Sequence, residues 1–167
     1  MPLETREFDL EAEADRLLDE MVEAAEKQAE YPRGSDGAKE YAEQGQRYER
    51  LREGVLWARE TWDTDTITLG SLTNGNRRLI QKLGQENAEL NASDRYVAIG
   101  TVAAPYLEHD PQGITPNDVL ETTYALGDVD PRYVDWAESQ ISDLSRIEAD
   151  EGKSYQALVR EKRNQTS

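Results

Sequence analysis

Apolar residues along the first sixty positions recur every three or four residues, which is the period of an amphipathic α-helix. The pattern predicts one helix over about residues 9–30 and a second over about residues 38–62. Between them lies Tyr31-Pro32-Arg33-Gly34-Ser35-Asp36-Gly37. Its Pro and Gly end the first helix, and Ser35 or Asp36 can cap the second. Two long helices joined by a short loop predict a helical hairpin over residues 1–63, as an extension of the domain that follows.

The second helix carries a seam of aromatic and apolar residues with the seven-residue spacing of a coiled coil. The seam consists of Tyr41, Tyr48, Val55 and Trp62, with Leu51 and Ala58 at the intervening positions. Gly45 and Gly54 weaken this helix, because each Gly is about 1 kcal/mol less favourable than Ala in a helix interior.

The aromatic residues of this helix have two interpretations. Heptad aromatics most often form intramolecular core. The alternative is a partner-binding surface formed by Tyr41, Tyr48, Trp57 and Trp62, because the hairpin is long for the domain beneath it and Trp57 lies off the seam. Both interpretations stay open from the sequence alone.

The pattern changes at residues 66–83, where a β-branched run leads into a helix. Ile67 and Leu69 alternate with polar residues, which predicts a short half-buried strand. Thr73 is predicted to cap a helix running to about residue 90 and carrying Leu79, Ile80 and Leu83.

Four further helices are predicted downstream. They begin at Ser93, Thr115 and Pro131 and, after an interruption at Gly152, near Tyr155. The fold class is therefore mostly α, with seven helices and at most one or two short strands. The predicted organisation is a long N-terminal helical hairpin (1–63), a compact helical domain (64–151), and a short helix with a basic tail (152–167).

The charge of the chain changes the expected environment. There are 35 acidic and 19 basic residues, a formal charge of −16. Such an excess favours a salt-adapted source, since the Debye length falls to about 3 Å at 1 M salt and self-repulsion is screened; an ordinary acidic protein is the alternative. Direct nucleic-acid binding is disfavoured, because a phosphate backbone needs a basic footprint.

Few residues offer catalytic or metal-binding chemistry. There is no Cys, and His109, flanked by Glu108 and Asp110, is the only His. A zinc cage, a thiol nucleophile and paired-His chemistry are therefore excluded within one chain. We predict no catalytic residues, no metal and no cofactor, and hence no enzyme.

Two charged clusters have a binding alternative beside a simpler one. Asp128, Asp130, Asp135 and Glu138 are better explained as capping acids and a solvated helix face than as a calcium site. Arg77 and Arg78, at a predicted helix start, are expected to make surface ion pairs rather than bind an anion.

Neither a membrane span nor a signal peptide is expected. No apolar run approaches the roughly 20 residues that a membrane helix needs. The first residues, Met1-Pro2-Leu3-Glu4-Thr5-Arg6-Glu7, lack a basic start and an apolar core. The expectation is a soluble intracellular protein without membrane contact.

The order of elements in residues 57–144 resembles the tail assembly chaperones of long-tailed viruses, which are small, mainly helical proteins. The features that carry the resemblance are Trp62, the Thr66–Leu69 strand, the Leu72-Thr73-Asn74-Gly75 turn before Arg77 and Arg78, Val102-Ala103-Ala104-Pro105-Tyr106, a helix ending near Leu126, and Val134-Asp135-Trp136-Ala137-Glu138. They span about half the chain. The long hairpin before Trp57 departs from the short start expected of that family.

The resemblance implies a non-enzymatic protein that covers the apolar helices of a tape-measure protein until tail-tube subunits polymerise around it. With the acidic composition, it implies a virus or provirus of a salt-loving archaeon and a cytoplasmic location in that host. The alternative is a structural virion component, such as a head–tail connector or adaptor ring. The expected partner is a tape-measure, tail-tube or connector protein, and homo-oligomerisation stays open.

Overall fold

The computed structural model describes residues 4–107 and 115–165, with side chains in the last helix described at 131–146, 160, 162 and 163. Its elements are β1 (Thr5–Asp9), α1 (Leu10–Ala29), α2 (Asp36–Trp62), β2 (Thr66–Gly70), α3 (Asn74–Glu86), α4 (Ala92–Gly100), β3 (Thr101–Ala103), α5 (Pro116–Leu126) and α6 (Pro131–Gln165). The predicted class, a mostly-α fold that begins with a long helical hairpin, is confirmed.

Both helices of the hairpin begin at side-chain caps. Asp9 accepts a hydrogen bond from the Ala12 N–H at 2.9 Å, and Ser35 accepts one from the Ala38 N–H at 3.3 Å. The two helices pack along small and aliphatic residues, which are Leu10, Ala14, Leu17 and Ala24 of α1 and Ala38, Leu51, Val55 and Ala58 of α2. The aromatic members of the α2 seam lie beside this contact and are only half-buried.

The predicted strand at residue 67 is confirmed as the centre of a small antiparallel sheet. Ile67 and Leu69 of β2 are 1% and 0% exposed, and β2 pairs with β1 on one side and β3 on the other. The sheet thus has three strands where one or two were predicted. The sequence of β1 does not predict a strand, because Phe8 is its only apolar residue. β3 lies at the end of the apolar run that we assigned to the predicted helix beginning at Ser93.

The described residues contain six helices where seven were predicted. The difference is at Gly152, where the backbone of α6 stays helical; a single Gly weakens a helix by about 1 kcal/mol without having to end it. α3 ends at Glu86 rather than near 90, and α4 is capped by Asn91 rather than Ser93. The caps at Thr73 and Thr115 are confirmed, each as a reciprocal capping box.

One hydrophobic cluster runs through all of these elements. It joins Leu17 and Leu51 of the hairpin to Leu69 of the sheet and to Leu126 and Trp136 of the later helices. The core therefore crosses residue 63, and the division of the chain into three units stays a prediction. Within the described segments, no helix combines the length and the apolar character needed to cross a bilayer.

Candidate functional site

Helix α6 meets the hairpin at its first two turns. Gly54 of α2 lies directly against the backbone of Arg132 and Tyr133, leaving no room for a Cβ atom. One turn away, the Arg50 Nε donates to the Asp135 carboxylate at 2.9 Å. Higher-numbered residues of α6 meet lower-numbered residues of α2, so the two helices run in opposite directions.

Next to the Arg50–Asp135 contact, the hairpin and α6 form the two walls of an open cleft of about 930 Å³. We call it the hairpin–α6 cleft. Its hairpin wall consists of Arg16, Leu17, Glu20, Gln44, Arg47, Tyr48, Arg50 and Leu51. Its α6 wall consists of Asp135, Glu138, Ser139, Gln140, Ser142, Asp143 and Arg146, and Tyr96 of α4 completes the lining.

Two leucines and two tyrosines are the apolar and aromatic members of the cleft lining. Leu17 and Leu51 are buried, and Tyr48 and Tyr96 are half-buried, so that each tyrosine exposes part of its ring. Burial raises the pKa of Tyr96, while its hydrogen bonds to Ser142 and Ser145 act in the opposite direction. The Tyr96 hydroxyl therefore lies close to α6.

The two walls carry opposite charges. The hairpin wall has three arginines and one glutamate, whereas the α6 wall has three acids and one arginine. The negative potential of the α6 wall extends to α4: burial raises the pKa of Asp94, and the nearby carboxylate of Glu138 raises it further. The cleft is therefore neutral as a whole but polarised from one side to the other.

The arginines of the hairpin wall differ in how firmly they are held. Arg16 makes a bidentate ion pair with the buried Glu13, at 2.9 and 3.3 Å, which raises the pKa of its guanidinium. Glu13 also accepts a hydrogen bond from the Trp136 indole at 3.1 Å. Arg47, in contrast, is exposed and makes no hydrogen bond or ion pair with any described residue. Its charge is available to a ligand.

The four predicted partner-binding residues do not form one surface. Tyr48 lines the cleft. Tyr41 lies towards the hairpin loop, 5.6 Å from the Tyr31 ring between centroids. Trp57 and Trp62 pack together at 5.1 Å, and Trp62 also contacts the buried Tyr133 at 4.9 Å. A partner-binding role for these four residues stays a prediction, and only Tyr48 is placed in the cleft.

Sequence reasoning missed the charged residues of the cleft. Four arginines of α2 lie within thirteen residues, at Arg47, Arg50, Arg52 and Arg59, and this clustering is the sequence signal on the hairpin side. On α6, Asp135 and Glu138 were interpreted as part of a solvated helix face rather than as the wall of a cleft. Which of these charges share a cleft depends on tertiary packing.

Two of the four acids weighed as a calcium site, Asp130 and Asp135, are engaged in ion pairs. Asp130 binds the Arg132 guanidinium at 2.7 Å, and Asp135 binds Arg50. Among the described residues, no group of three or more His, Cys, Asp or Glu side chains is placed to hold a metal ion. His109, with Glu108 and Asp110, lies outside the described residues. The expected surface ion pairs of Arg77 and Arg78 are absent among the residues that the structure describes.

A second polar feature is a chain of buried hydroxyl groups beneath the sheet. The Thr101 hydroxyl donates to the Val97 carbonyl at 2.7 Å and lies 2.6 Å from the Tyr106 hydroxyl, which is 2.9 Å from that of Tyr133. Burial raises the pKa of Tyr106 to about 12, and it raises the pKa of Tyr133 well above its ordinary value. Both tyrosines are therefore neutral over the physiological range, and their role is structural.

These tyrosines predict a loss of stability at alkaline pH. In the unfolded chain a tyrosine ionises near pH 10, whereas folded Tyr106 stays protonated up to about pH 12. The free energy of unfolding should therefore fall as the pH rises from 10 to 12, with Tyr106 contributing up to about 2–3 kcal/mol. Urea titrations across this range should show a shallower decline for Tyr106→Phe. Tyr124→Phe, at a 57% exposed position, should keep the original slope; equal slopes in all three proteins would contradict the prediction.

Comparison with known proteins gives no relative from which to transfer a function: no protein-family model, curated protein or solved structure matches this chain.

Proposed function

We propose that this protein is a non-enzymatic assembly factor that binds another protein in the hairpin–α6 cleft. The observation that carries the proposal is the cleft itself, which places the half-buried rings of Tyr48 and Tyr96 between two charged walls. Aromatic side chains surrounded by a charged rim are typical of protein-binding sites.

The shape and charge of the cleft favour a protein segment over a small substrate. Its volume of about 930 Å³ is near the upper limit for small-molecule pockets. Its charged groups are largely neutralised by one another: Arg50 pairs with Asp135, and Arg146 lies 3.6 Å from Asp143. Such pairs suit recognition of a polar partner surface and do not provide a free acid and base facing a substrate.

For the biological setting we propose viral tail assembly, on the strength of the sequence resemblance in residues 57–144. The partner is then a tape-measure or tail protein, whose apolar helices would be shielded until tube subunits polymerise. The acidic surface, with a net charge of −16, would keep this complex dispersed in a salt-rich cytoplasm.

Co-expression with a tape-measure protein, followed by pull-down at high salt, tests the proposal. We expect a stable complex that is weakened at least tenfold by Tyr48→Ala, because this half-buried ring lies in the cleft. Tyr124→Ala, which removes an exposed ring from α5, is the matched control and should bind normally. A folded protein that fails to associate with the tape-measure protein would overturn the proposed setting.

A second candidate function, a head–tail connector or adaptor ring in the virion, is favoured by how charge is divided among the helices. α1 carries seven acids and two bases, with Leu18 and Val22 exposed by 41% and 50%. α3 carries three bases and one acid, and neither Arg78 nor Lys82 has an ion pair within the described residues. Contact between α3 of one copy and α1 of the next would be heterologous, and such contacts form a ring when the rotation from copy to copy closes.

Native mass spectrometry distinguishes the two functions. A connector should form a closed oligomer that Arg78→Glu dissociates, whereas an assembly factor without its partner should stay a monomer or small oligomer. Mass spectrometry of purified particles provides the second comparison, since a connector is present at a fixed copy number and an assembly factor is depleted.

A further inference from the structure

We infer that the hairpin–α6 cleft accepts an α-helical segment with one acidic edge, one basic edge and an apolar strip between them. The inference rests on the proposed function and specifies the class of partner. It follows from three properties of the cleft: the opposite charges of its walls, its length along α6, and the two tyrosine rings, Tyr48 and Tyr96, in its lining.

The charges of the walls determine the edges of the bound segment. On the hairpin side Arg47, which has no ion pair with a described residue, would attract an acidic side chain, while Arg16 and Arg50 already pair with Glu13 and Asp135. On the α6 side Glu138 would attract a basic side chain, while Asp143 already lies 3.6 Å from Arg146. Contact pairs of this kind are less screened than distant charges when they are partly buried, so they can operate in concentrated salt.

A segment with two like edges would fit the cleft poorly. Two acidic edges would set one of them against Glu138 and Asp143, and two basic edges would set one against the arginines. Like charges in contact across an interface are strongly unfavourable. The polarised cleft therefore discriminates by repulsion as well as by attraction.

The length of the cleft determines the length of the segment. Along α6 the lining extends from Asp135 to Arg146, a distance of about 16 Å at 1.5 Å per residue. A straight helix alongside this stretch has about three turns in contact. Apolar residues at positions i, i+3 or i+4, and i+7 of that helix would face the rings of Tyr48 and Tyr96.

Three synthetic 14-residue helical peptides with the same leucine strip test the inference. One has a glutamate edge and a lysine edge, one has two glutamate edges, and one has two lysine edges. Binding to the full-length protein is measured by fluorescence anisotropy at one fixed salt concentration. We expect the mixed-edge peptide to bind at least tenfold more tightly than either of the others; equal affinities, or tightest binding of the all-lysine peptide, would overturn the inference.

A pair of charge reversals on α2 locates the site. Arg47→Glu makes the hairpin wall less basic, so affinity for the mixed-edge peptide should fall at least fivefold and affinity for the all-lysine peptide should rise. Arg59→Glu makes the same change on the same helix outside the cleft lining and should leave the preference unchanged. Equal effects of the two variants would overturn the inference.

The same variants separate this inference from the proposed function. If the tape-measure complex forms and Arg47→Glu leaves it intact, the cleft inference is wrong and the binding function stands. If the peptides show the expected selectivity but the tape-measure protein does not associate, the inference holds and the proposed partner is wrong.

Discussion

Replacing Trp136 by Ala is expected to lower the free energy of unfolding by about 3–5 kcal/mol, the range measured for truncating a large aromatic in a well-packed core. The Trp136 side chain is 0% exposed and packs edge-on against Phe8, with ring centroids 5.4 Å apart. It also lies 5.7 Å from the Tyr133 ring. Its removal would open a cavity shared by β1 and α6 and would leave the buried Glu13 without one of its hydrogen-bond donors.

Trp136→Phe is the control that separates the contribution of ring packing from that of the indole hydrogen bond to Glu13. It keeps an aromatic ring in the site but removes the indole N–H, which donates to Glu13 at 3.1 Å. Because Arg16 still pairs with that carboxylate, we expect a smaller cost of about 1–2 kcal/mol. Urea unfolding followed by far-UV circular dichroism measures both variants. A cost below 1 kcal/mol for Trp136→Ala would show that the site is not packed as described.

The helices of this fold could be predicted from local signals in the sequence. Periodicity located the two hairpin helices within a few residues of their observed ends. The side-chain caps predicted at Ser35, Thr73 and Thr115 placed the starts of three helices, since each satisfies backbone N–H groups that lack a partner within the helix.

The sheet and the cleft could not be predicted in the same way, because they depend on distant residues. β1 is extended because it pairs with β2, through Phe8 opposite Ile67, and its own sequence has a single apolar residue. The Arg50–Asp135 ion pair joins positions 85 apart, and the Trp136–Glu13 hydrogen bond joins positions 123 apart. The sequence shows that these charges exist, but the packing of α6 on the hairpin decides which of them meet.

The two glycines within α2 illustrate the same limit. Helix propensity treats Gly45 and Gly54 alike, as sites that Ala would improve. The structure places the two glycines in different surroundings. A Cβ at Gly45 would lie 3.8 Å from the Ala24 Cβ, an ordinary contact between the hairpin helices, whereas a Cβ at Gly54 would overlap the backbone of Arg132 and Tyr133.

Ala substitutions at these two positions should therefore change stability in opposite directions. Gly45→Ala should raise the free energy of unfolding by about 0.5–1 kcal/mol, because it reduces the entropy of the unfolded chain and adds a methyl contact. Gly54→Ala should lower it by about 3 kcal/mol, because the start of α6 must move away from α2, and an overpacked core site typically costs 1–3 kcal/mol.

Urea titration of the two variants at the same salt concentration provides the measurement. Gly54 is the point from which α6 diverges to form the hairpin–α6 cleft, and the Arg132–Glu53 ion pair at 2.7 Å holds the same junction. Gly54→Ala should therefore also lower the affinity of the cleft for any ligand, even if the variant stays folded. Stabilisation by both substitutions would mean that α2 and α6 do not approach each other as closely as described, and that the hairpin–α6 cleft has a different shape.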